Sequence, residues 1–144
     1  MTDSKNDDLK SRIVSEMTDD YSNALERNFD LAKQLLRVTK EGKVSVLFKD
    51  KLTGEEQITL YLIGKLYAKE AGFIEKQEVD NKELMEELSM PKGSLLPGLK
   101  NLRYKKKVKQ IKIGRNVLHT IPVNLVEKNL KDIGNKLKSH SKED

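Results

Sequence analysis

The segment from Thr53 to Gly72 most constrains the fold, because it predicts a helix that is apolar on nearly every side. Thr53 stands three residues before Glu56, which is the pattern of a capping box, and Gly72 is placed to end the helix. The apolar residues between these signals are Ile58, Leu60, Leu62, Ile63, Leu66 and Tyr67. Such a helix must be surrounded by other elements, so we expect it at the centre of the fold.

Two further helices and a β-hairpin are predicted after this central helix. Asp80 and Glu83 form a second capping pair, and the sequence "SMPKG" at 89–93 then breaks the chain before a third helix. Two β-rich runs follow around Gly114 and Asn116, residues that tolerate the positive φ of a tight turn. The order is a helix-turn-helix followed by a hairpin.

Residues 54–121 resemble the winged helix-turn-helix superfamily in the spacing of Leu84, Leu88, Leu95, Leu99, Leu102 and Val108. The run Gly93-Ser94-Leu95-Leu96-Pro97-Gly98-Leu99 is similar to the Gly-Thr-Leu-Tyr-Pro-x-Leu segment of PadR-type regulators. Leu96 replaces the usual tyrosine, and Lys106 stands where a glycine commonly precedes the wing. If the third helix begins at Ser94, Pro97 lies in its first turn, where its missing N–H is harmless.

The fold class expected from this resemblance is mainly α with a small β-wing, carrying accessory helices at both ends. We divide the chain into a helical extension with a short strand (1–50), a winged-helix domain (51–123) and a C-terminal helix capped by Asn124 and Glu127 with a frayed tail (124–144). At 144 residues the chain has room for one core of ordinary size.

Positive charge is concentrated in residues 88–126, here called the basic segment. It holds nine Lys and Arg residues and no Asp or Glu, although the formal net charge of the whole chain is only +5. Such asymmetry indicates a polyanionic partner, and we expect double-stranded DNA. A winged-helix module that binds protein, or one that binds RNA, remains the alternative.

The resemblance implies that the third helix enters the major groove while the wing lies along the backbone. Its outward side is expected to include Ser94 and Tyr104, and the candidate base readers are Lys100, Asn101 and Arg103. The candidate phosphate contacts are Lys92, Lys105, Lys106, Lys107, Lys109, Lys112 and Arg115. Lysine outnumbers arginine in the basic segment, which favours attraction to the backbone over bidentate base recognition.

The N-terminal part of the chain predicts a long helix over residues 7–38, which contain no Pro or Gly and could be divided at Thr18 or Asp19. A heptad seam runs along it through Val14, Met17, Tyr21, Ala24, Asn28, Leu31 and Leu35. This seam is either a homodimer interface, in which Asn28 selects the register, or a face packed on its own domain. The alternation of Val44, Val46 and Phe48 then predicts a short strand.

Composition argues against an enzyme. The chain has no cysteine and only two histidines, His119 and His140, so we expect no metal site, no cofactor and no small-molecule substrate, and both histidines in solvent. The N-terminus lacks the apolar run of a signal peptide, and no stretch approaches the length of a membrane span. We expect a cytoplasmic protein without membrane association.

Overall fold

The computed structural model describes residues 8–17 and 23–143 of the protein. Within these ranges the chain is mainly helical with two small antiparallel sheets, in agreement with a mainly α fold that carries a small β element. The helices are α1 (residues 8–12, continued by a π-helical turn, Ile13–Met17), α2 (Ala24–Arg27), α3 (Phe29–Leu35), α4 (Gly54–Glu70), α5 (Asn81–Glu87), α6 (Lys92–Tyr104) and α7 (Val126–Glu143). The strands are β1 (Leu36–Val38), β2 (Val44–Val46), β3 (Val79–Asp80), β4 (Lys109–Ile113) and β5 (Asn116–Thr120).

The prediction of a helix running to residue 38 is wrong. The helix is interrupted at Asn28, and from Leu36 the backbone is extended, with φ −151° and ψ 163°. Leu36 and Val38 pair with Val46 and Val44 in the antiparallel ladder of β1 and β2. Because β-branched residues favour strands, this local pairing overrides the helical spacing of the apolar residues. The expected strand at Val44 and Val46 is confirmed, whereas Phe48 lies beyond it in a left-handed conformation with φ 58°.

Three residues of the predicted dimer seam, Ala24, Asn28 and Leu35, are buried inside the chain itself, so an interface between copies is incorrect for them. These residues are only 1%, 5% and 3% exposed, and α2 and α3 pack against α7. The Asn28 side-chain amide donates to the Ala24 carbonyl oxygen at 2.8 Å and is therefore used within its own helix. Leu31 is half-buried against the same core.

The remaining seam residues differ from this buried group. Val14 and Met17 are exposed in the N-terminal helical segment, and Tyr21 lies outside the described residues. Packing on its own domain, which was the alternative, is supported for the part of the seam from Ala24 to Leu35 and not for Val14 and Met17.

Helix α4 is the centre of the core, as predicted. The Thr53 hydroxyl accepts from the Glu56 N–H at 3.2 Å, while the Thr53 N–H donates to the Glu56 carboxylate at 2.8 Å, so the capping box is confirmed. The helix ends before Gly72, whose φ of +82° matches its expected role as a stop. Apolar residues along α4 that are completely buried are Ile58, Leu60, Leu62, Ile63 and Ala68.

The β1–β2 hairpin lies directly on α4 at Gly64. A Cβ atom on Gly64 would be 2.4 Å from Val44 Cγ1, well inside van der Waals contact. The absence of a side chain at this position therefore allows the strand to approach the helix, and the N-terminal residues share one core with the rest of the chain.

A three-stranded antiparallel sheet follows, in the order β3-β5-β4. The predicted hairpin is confirmed: Lys109 pairs with Thr120 and Ile113 with Asn116, and Gly114 at the turn has φ 62°. The second capping pair is confirmed in part, because the Asp80 side chain accepts from the Glu83 N–H at 2.8 Å. From α4 to β5, the elements follow the order helix, strand, helix, helix and hairpin.

The Glu83 side chain points to α4 instead of completing the cap. It accepts a hydrogen bond from the Tyr61 hydroxyl at 2.5 Å and forms an ion pair with Lys65 at 3.0 Å. Burial, followed by the hydrogen bond to Glu83, raises the pKa of Tyr61 far above its ordinary value. This network fixes α5 against the central helix.

Helix α7 completes the fold and shows how the core relates to the domain boundaries that we predicted between residues 50 and 51 and between residues 123 and 124. A short 3₁₀ turn, Val123–Leu125, precedes it and the helix begins at Val126, so Asn124 is not its N-cap as predicted. Val126 and Leu130 are completely buried in the same cluster as Leu35 and Ile63. One contiguous core therefore crosses both boundaries.

Candidate nucleic-acid interface

Helices α5 and α6 meet at a tight turn that positions α6. Helix α5 ends with Ser89 in a left-handed conformation (φ 51°), and the N–H of Met90 donates to the Met85 carbonyl oxygen at 3.0 Å. Pro91 then begins α6 with extended backbone, and its carbonyl oxygen accepts from the N–H groups of Ser94 and Leu95. The direction of α6 is thus set within a few residues.

Pro97 lies deeper in α6 than predicted. The helix starts at Lys92, so Pro97 is outside the first turn and cannot donate to the Gly93 carbonyl. Gly93 is exposed to solvent, which offers that carbonyl another partner. The tolerance of this proline therefore comes from the exposure of its helix face, not from a position at the helix start.

The buried side of α6 is the one predicted from its leucines. Leu95, Leu99 and Leu102 are 0%, 1% and 2% exposed and belong to the main core. The residues on the opposite side, from Gly93 through Leu96 and Lys100 to Tyr104, are all exposed. Tyr104 is 85% exposed, so this side of the helix is open to a partner.

Asn101 does not lie on the open side of α6 with Lys100. Its Nδ2 donates to both carboxylate oxygens of Glu55, at 3.0 and 2.9 Å, next to the start of α4. Lys105 lies near the same carboxylate, with Nζ 3.6 Å from Glu55 Oε1. The role of free base reader predicted for Asn101 therefore needs correction, because its amide is already bound.

Arg103 lies on the other flank of α6, towards the sheet. It is half-buried, and its charge is one of the causes that lower the pKa of His119 on β5. Of the three candidate base readers, only Lys100 is on the fully exposed side. The rotation of α6 brings Lys100 together with Tyr104 on the solvent side. It places the exposed Ser94 with Asn101 on the flank near Glu55, and Arg103 on the opposite flank.

The link from α6 to β4 contains three consecutive lysines. Lys106 has φ 59°, and the N–H of Lys107 donates to the Leu102 carbonyl oxygen at 2.8 Å, so the chain leaves α6 in the same way as it leaves α5. Lys105 and Lys106 are exposed and Lys107 is half-buried. A lysine thus occupies a backbone position that glycine adopts at lower cost.

The β4–β5 hairpin carries its cations on both faces. Antiparallel partners share a face and neighbours alternate, so Lys112, opposite Val117, is on the face that includes His119, whereas Lys109 is on the other. Arg115 is exposed in the turn. The hairpin therefore presents charge around its edge and tip more than over one flat surface.

Most of the cations in the basic segment form no ion pair with a carboxylate of the described residues. Among the described residues, only Lys105 of the nine pairs with a carboxylate, that of Glu55. The exposed members without an ion pair to a described carboxylate are Lys92, Lys100, Lys106, Lys109, Lys112 and Arg115. Uncompensated positive charge raises the local potential and attracts anions.

His119 is buried, contrary to the expectation of a solvated residue. It is 1% exposed, and its Nε2 lies 2.6 Å from Asn81 Oδ1, so it donates its proton there as a neutral imidazole. Burial, with a smaller contribution from Arg103, lowers its pKa to about 4. The hydrogen bond between His119 and Asn81 thus joins β5 to α5. In the described part of the chain no cluster of His, Cys, Asp or Glu is suited to hold a metal ion.

Two features of this region were not predicted from the sequence. Glu55 was visible as one of a pair of acids in the first turn of α4, but nothing local indicated that it binds Asn101 and Lys105 from another helix. The burial of His119 was signalled only by its place between Leu118 and Ile121 in a β-rich run.

Comparison with protein-family models, with curated proteins and with solved structures gave no match for the chain. None of the helices within residues 8–17 and 23–143 combines the length and the apolar character needed to cross a bilayer.

Proposed function

We propose that the protein binds double-stranded DNA as a winged-helix module, with α6 in the major groove and the β4–β5 hairpin as the wing on the flanking backbone. The observation that carries the proposal is the open side of α6, which is flanked by exposed cations without ion pairs to described carboxylates. The order helix, strand, helix, helix and hairpin, with the sheet order β3-β5-β4, supports it, because it supplies a paired helix and an adjoining hairpin.

Within this proposal Lys100 is the principal base reader and Tyr104 lies beside it, while Ser94 is on the flank of α6 next to Asn101. Lys92, Lys106, Lys109, Lys112 and Arg115 contact phosphates, which hold the protein without reading sequence. A single exposed base-reading cation predicts low sequence selectivity, which suits an architectural role or a regulator with a short recognition site. The proposal includes regulation of transcription, with the protein located in the cytoplasm together with the DNA.

The test is a fluorescence anisotropy titration of duplex DNA over a salt series. If these five cations contact phosphates, the slope of log K against log salt is roughly −4.5. Changing Lys105, Lys106 and Lys107 together to glutamate should abolish binding at moderate salt while circular dichroism remains helical.

The matched control changes Lys40, Lys43 and Lys69 to glutamate. These exposed lysines belong to the N-terminal hairpin and the end of α4, so the net charge falls equally but on another part of the surface. Retained binding in the control and lost binding in the first variant supports a localised interface. If both variants lose the same DNA affinity, the effect depends only on net charge. Undiminished DNA binding by the first variant would contradict the proposal.

A second candidate function is the binding of an acidic protein, favoured by exposed apolar residues in the same region. Leu96 is 39% exposed, Tyr104 85% and Ile113 59%, which is more apolar exposure than phosphate contact requires. A protein partner would give weak DNA binding without dependence on strand type. Titrations of duplex DNA, single-stranded DNA and duplex RNA distinguish these readings.

A homodimer remains a proposal only through the N-terminal segment, where Val14 and Met17 are exposed. Two copies related by a two-fold axis would present two α6 helices to successive turns of DNA. Sedimentation at micromolar concentration tests this, and a monomer mass removes it.

A further inference from the structure

An open depression of about 620 Å³ lies between α3, the connection from β2 to α4, and α7. Its wall is mainly apolar and includes Leu31, Leu35, Leu47, Phe48 and Leu137. The volume falls in the range of roughly 300–1,000 Å³ that is usual for small-molecule sites. No residue of α6 or of the β4–β5 hairpin lines it, so it is separate from the candidate DNA surface.

Phe48 gives the first sign that this depression has a ligand. Its φ of 58° is a left-handed conformation that is unfavourable for a bulky residue, yet its side chain remains 50% exposed. The chain therefore holds a half-exposed aromatic side chain on a strained backbone beside the depression. Strain retained with so little packing in return is typical of residues that contact a ligand.

The charges around the depression give the second sign. Arg37, Lys51 and Lys138 line it and are exposed, and none of them has an ion pair with a described carboxylate. No Asp or Glu is among the described residues that line it. Arg37 donates one Nη1 hydrogen bond to the Leu36 carbonyl oxygen at 3.0 Å, which leaves other guanidinium N–H groups for a ligand.

We propose that this depression binds a small amphipathic carboxylate, with the apolar body against Leu31, Phe48 and Leu137 and the carboxylate among the three cations. The apolar wall favours a hydrocarbon or aromatic body, and uncompensated cations favour an anionic head. The occupant is a free carboxylate in solution and not a lipid headgroup, because a concave site suits a monomeric molecule better than the plane of a membrane.

Calorimetric titration of the full chain with decanoate, below its micellar concentration, tests the proposal. Decanol and decyltrimethylammonium present the same body with a neutral and a cationic head. Decanoate should bind at least about tenfold more tightly than either, since only its head is complementary to the cations. Equal affinities for decanoate and decanol, or no binding of decanoate, would overturn the proposal, as would binding to phosphatidylglycerol vesicles without binding of free decanoate.

Charge variants localise the site. Lys51→Ala combined with Lys138→Ala should weaken decanoate binding about tenfold or more. Lys128→Ala removes an exposed lysine from the same helix, α7, outside the lining, and should leave the affinity unchanged. Equal effects of the two variants would contradict the assignment.

Phe48→Gly separates binding from folding. Glycine adopts a positive φ freely, so the midpoint of thermal unfolding should stay the same or rise, while decanoate affinity should fall at least about tenfold because the aromatic wall is lost. A variant that binds decanoate as well as the original chain would show that the ring is not part of a ligand site and would overturn the proposal.

Discussion

Asn101 on α6 and Glu55 on α4 are joined by two hydrogen bonds, in which the amide Nδ2 lies 3.0 and 2.9 Å from the two carboxylate oxygens. Lys105 lies near the same carboxylate, at 3.6 Å. Glu55 thus places a negative charge beside the proposed DNA surface and occupies two of the groups that were candidates to contact it. Glu55 therefore adds polar contacts to the apolar packing between the helix that centres the core and the helix proposed to meet DNA.

Replacing Glu55 by glutamine should strengthen DNA binding, by about three- to tenfold at low salt. The change removes a charge that repels phosphates and frees Lys105 to contact them. Anisotropy titrations of duplex DNA measure the effect, and Glu41→Gln, an exposed acid in the turn between β1 and β2, is the control. If the two variants gain equally, the effect is one of net charge and Glu55 has no particular role.

Stability should fall as the pH is lowered from about 6.5 to about 4, because of His119. The pKa of His119 is lowered from 6.5 to about 4 in the folded protein, so between these values the unfolded chain binds more protons and protonation favours unfolding. The contribution is fully present above pH 6.5 and amounts to roughly 3 kcal/mol at most. Urea denaturation at pH 7.5 and pH 4.5 measures it.

The comparison variant for this prediction is His119→Gln, which keeps a donor for Asn81 but does not titrate. Its loss of stability over the same pH interval should be smaller than that of the original chain. An equal loss in both proteins would assign the pH dependence to the carboxylates.

Gly64→Ala should destabilise the protein by about 1–3 kcal/mol although alanine is the better helix former. The new methyl group would lie 2.4 Å from Val44 Cγ1, so β2 must move away from α4. Chemical denaturation measures the change. Gly93→Ala is the matched control, because this helical glycine has no heavy atom within 4 Å of the added Cβ, and we expect it to be neutral or slightly stabilising.

Lys106→Gly should be more stable than Lys106→Ala by about 1 kcal/mol. Residue 106 has φ 59° at the end of α6, and glycine accepts that conformation without a clash of Cβ. Both variants lose the same charge, so their DNA affinities should fall equally. A difference in affinity that exceeds the difference in unfolding free energy would show that the backbone there adapts on binding.

The parts of the fold that the sequence predicts well are those set by local chemistry. Thr53 and Asp80 cap the helices that follow them because the bonds they make are to residues three positions away. The buried side of α6 follows from the spacing of Leu95, Leu99 and Leu102, which a helix places on one face. The hairpin follows from Gly114 between two β-rich runs.

The parts that the sequence does not predict depend on residues far apart in the chain. Leu36 leaves the helical pattern because Val46 is available as a strand partner, and the spacing of the apolar residues carries no sign of this. Asn101 turns away from the open side of α6 because Glu55 binds it, and a helical wheel cannot place a residue of another helix. The pKa of His119 likewise depends on the packing of β5 against α5.

The contact of Val44 with the bare backbone at Gly64 has a practical consequence for protein engineering. A fragment beginning at residue 51 would leave that side of α4 open to water, together with the apolar surface normally covered by Leu35 and Leu36. The elements proposed to bind DNA therefore cannot be transferred to another protein on their own. A chimera that is to inherit them must also inherit the first hairpin and the last helix.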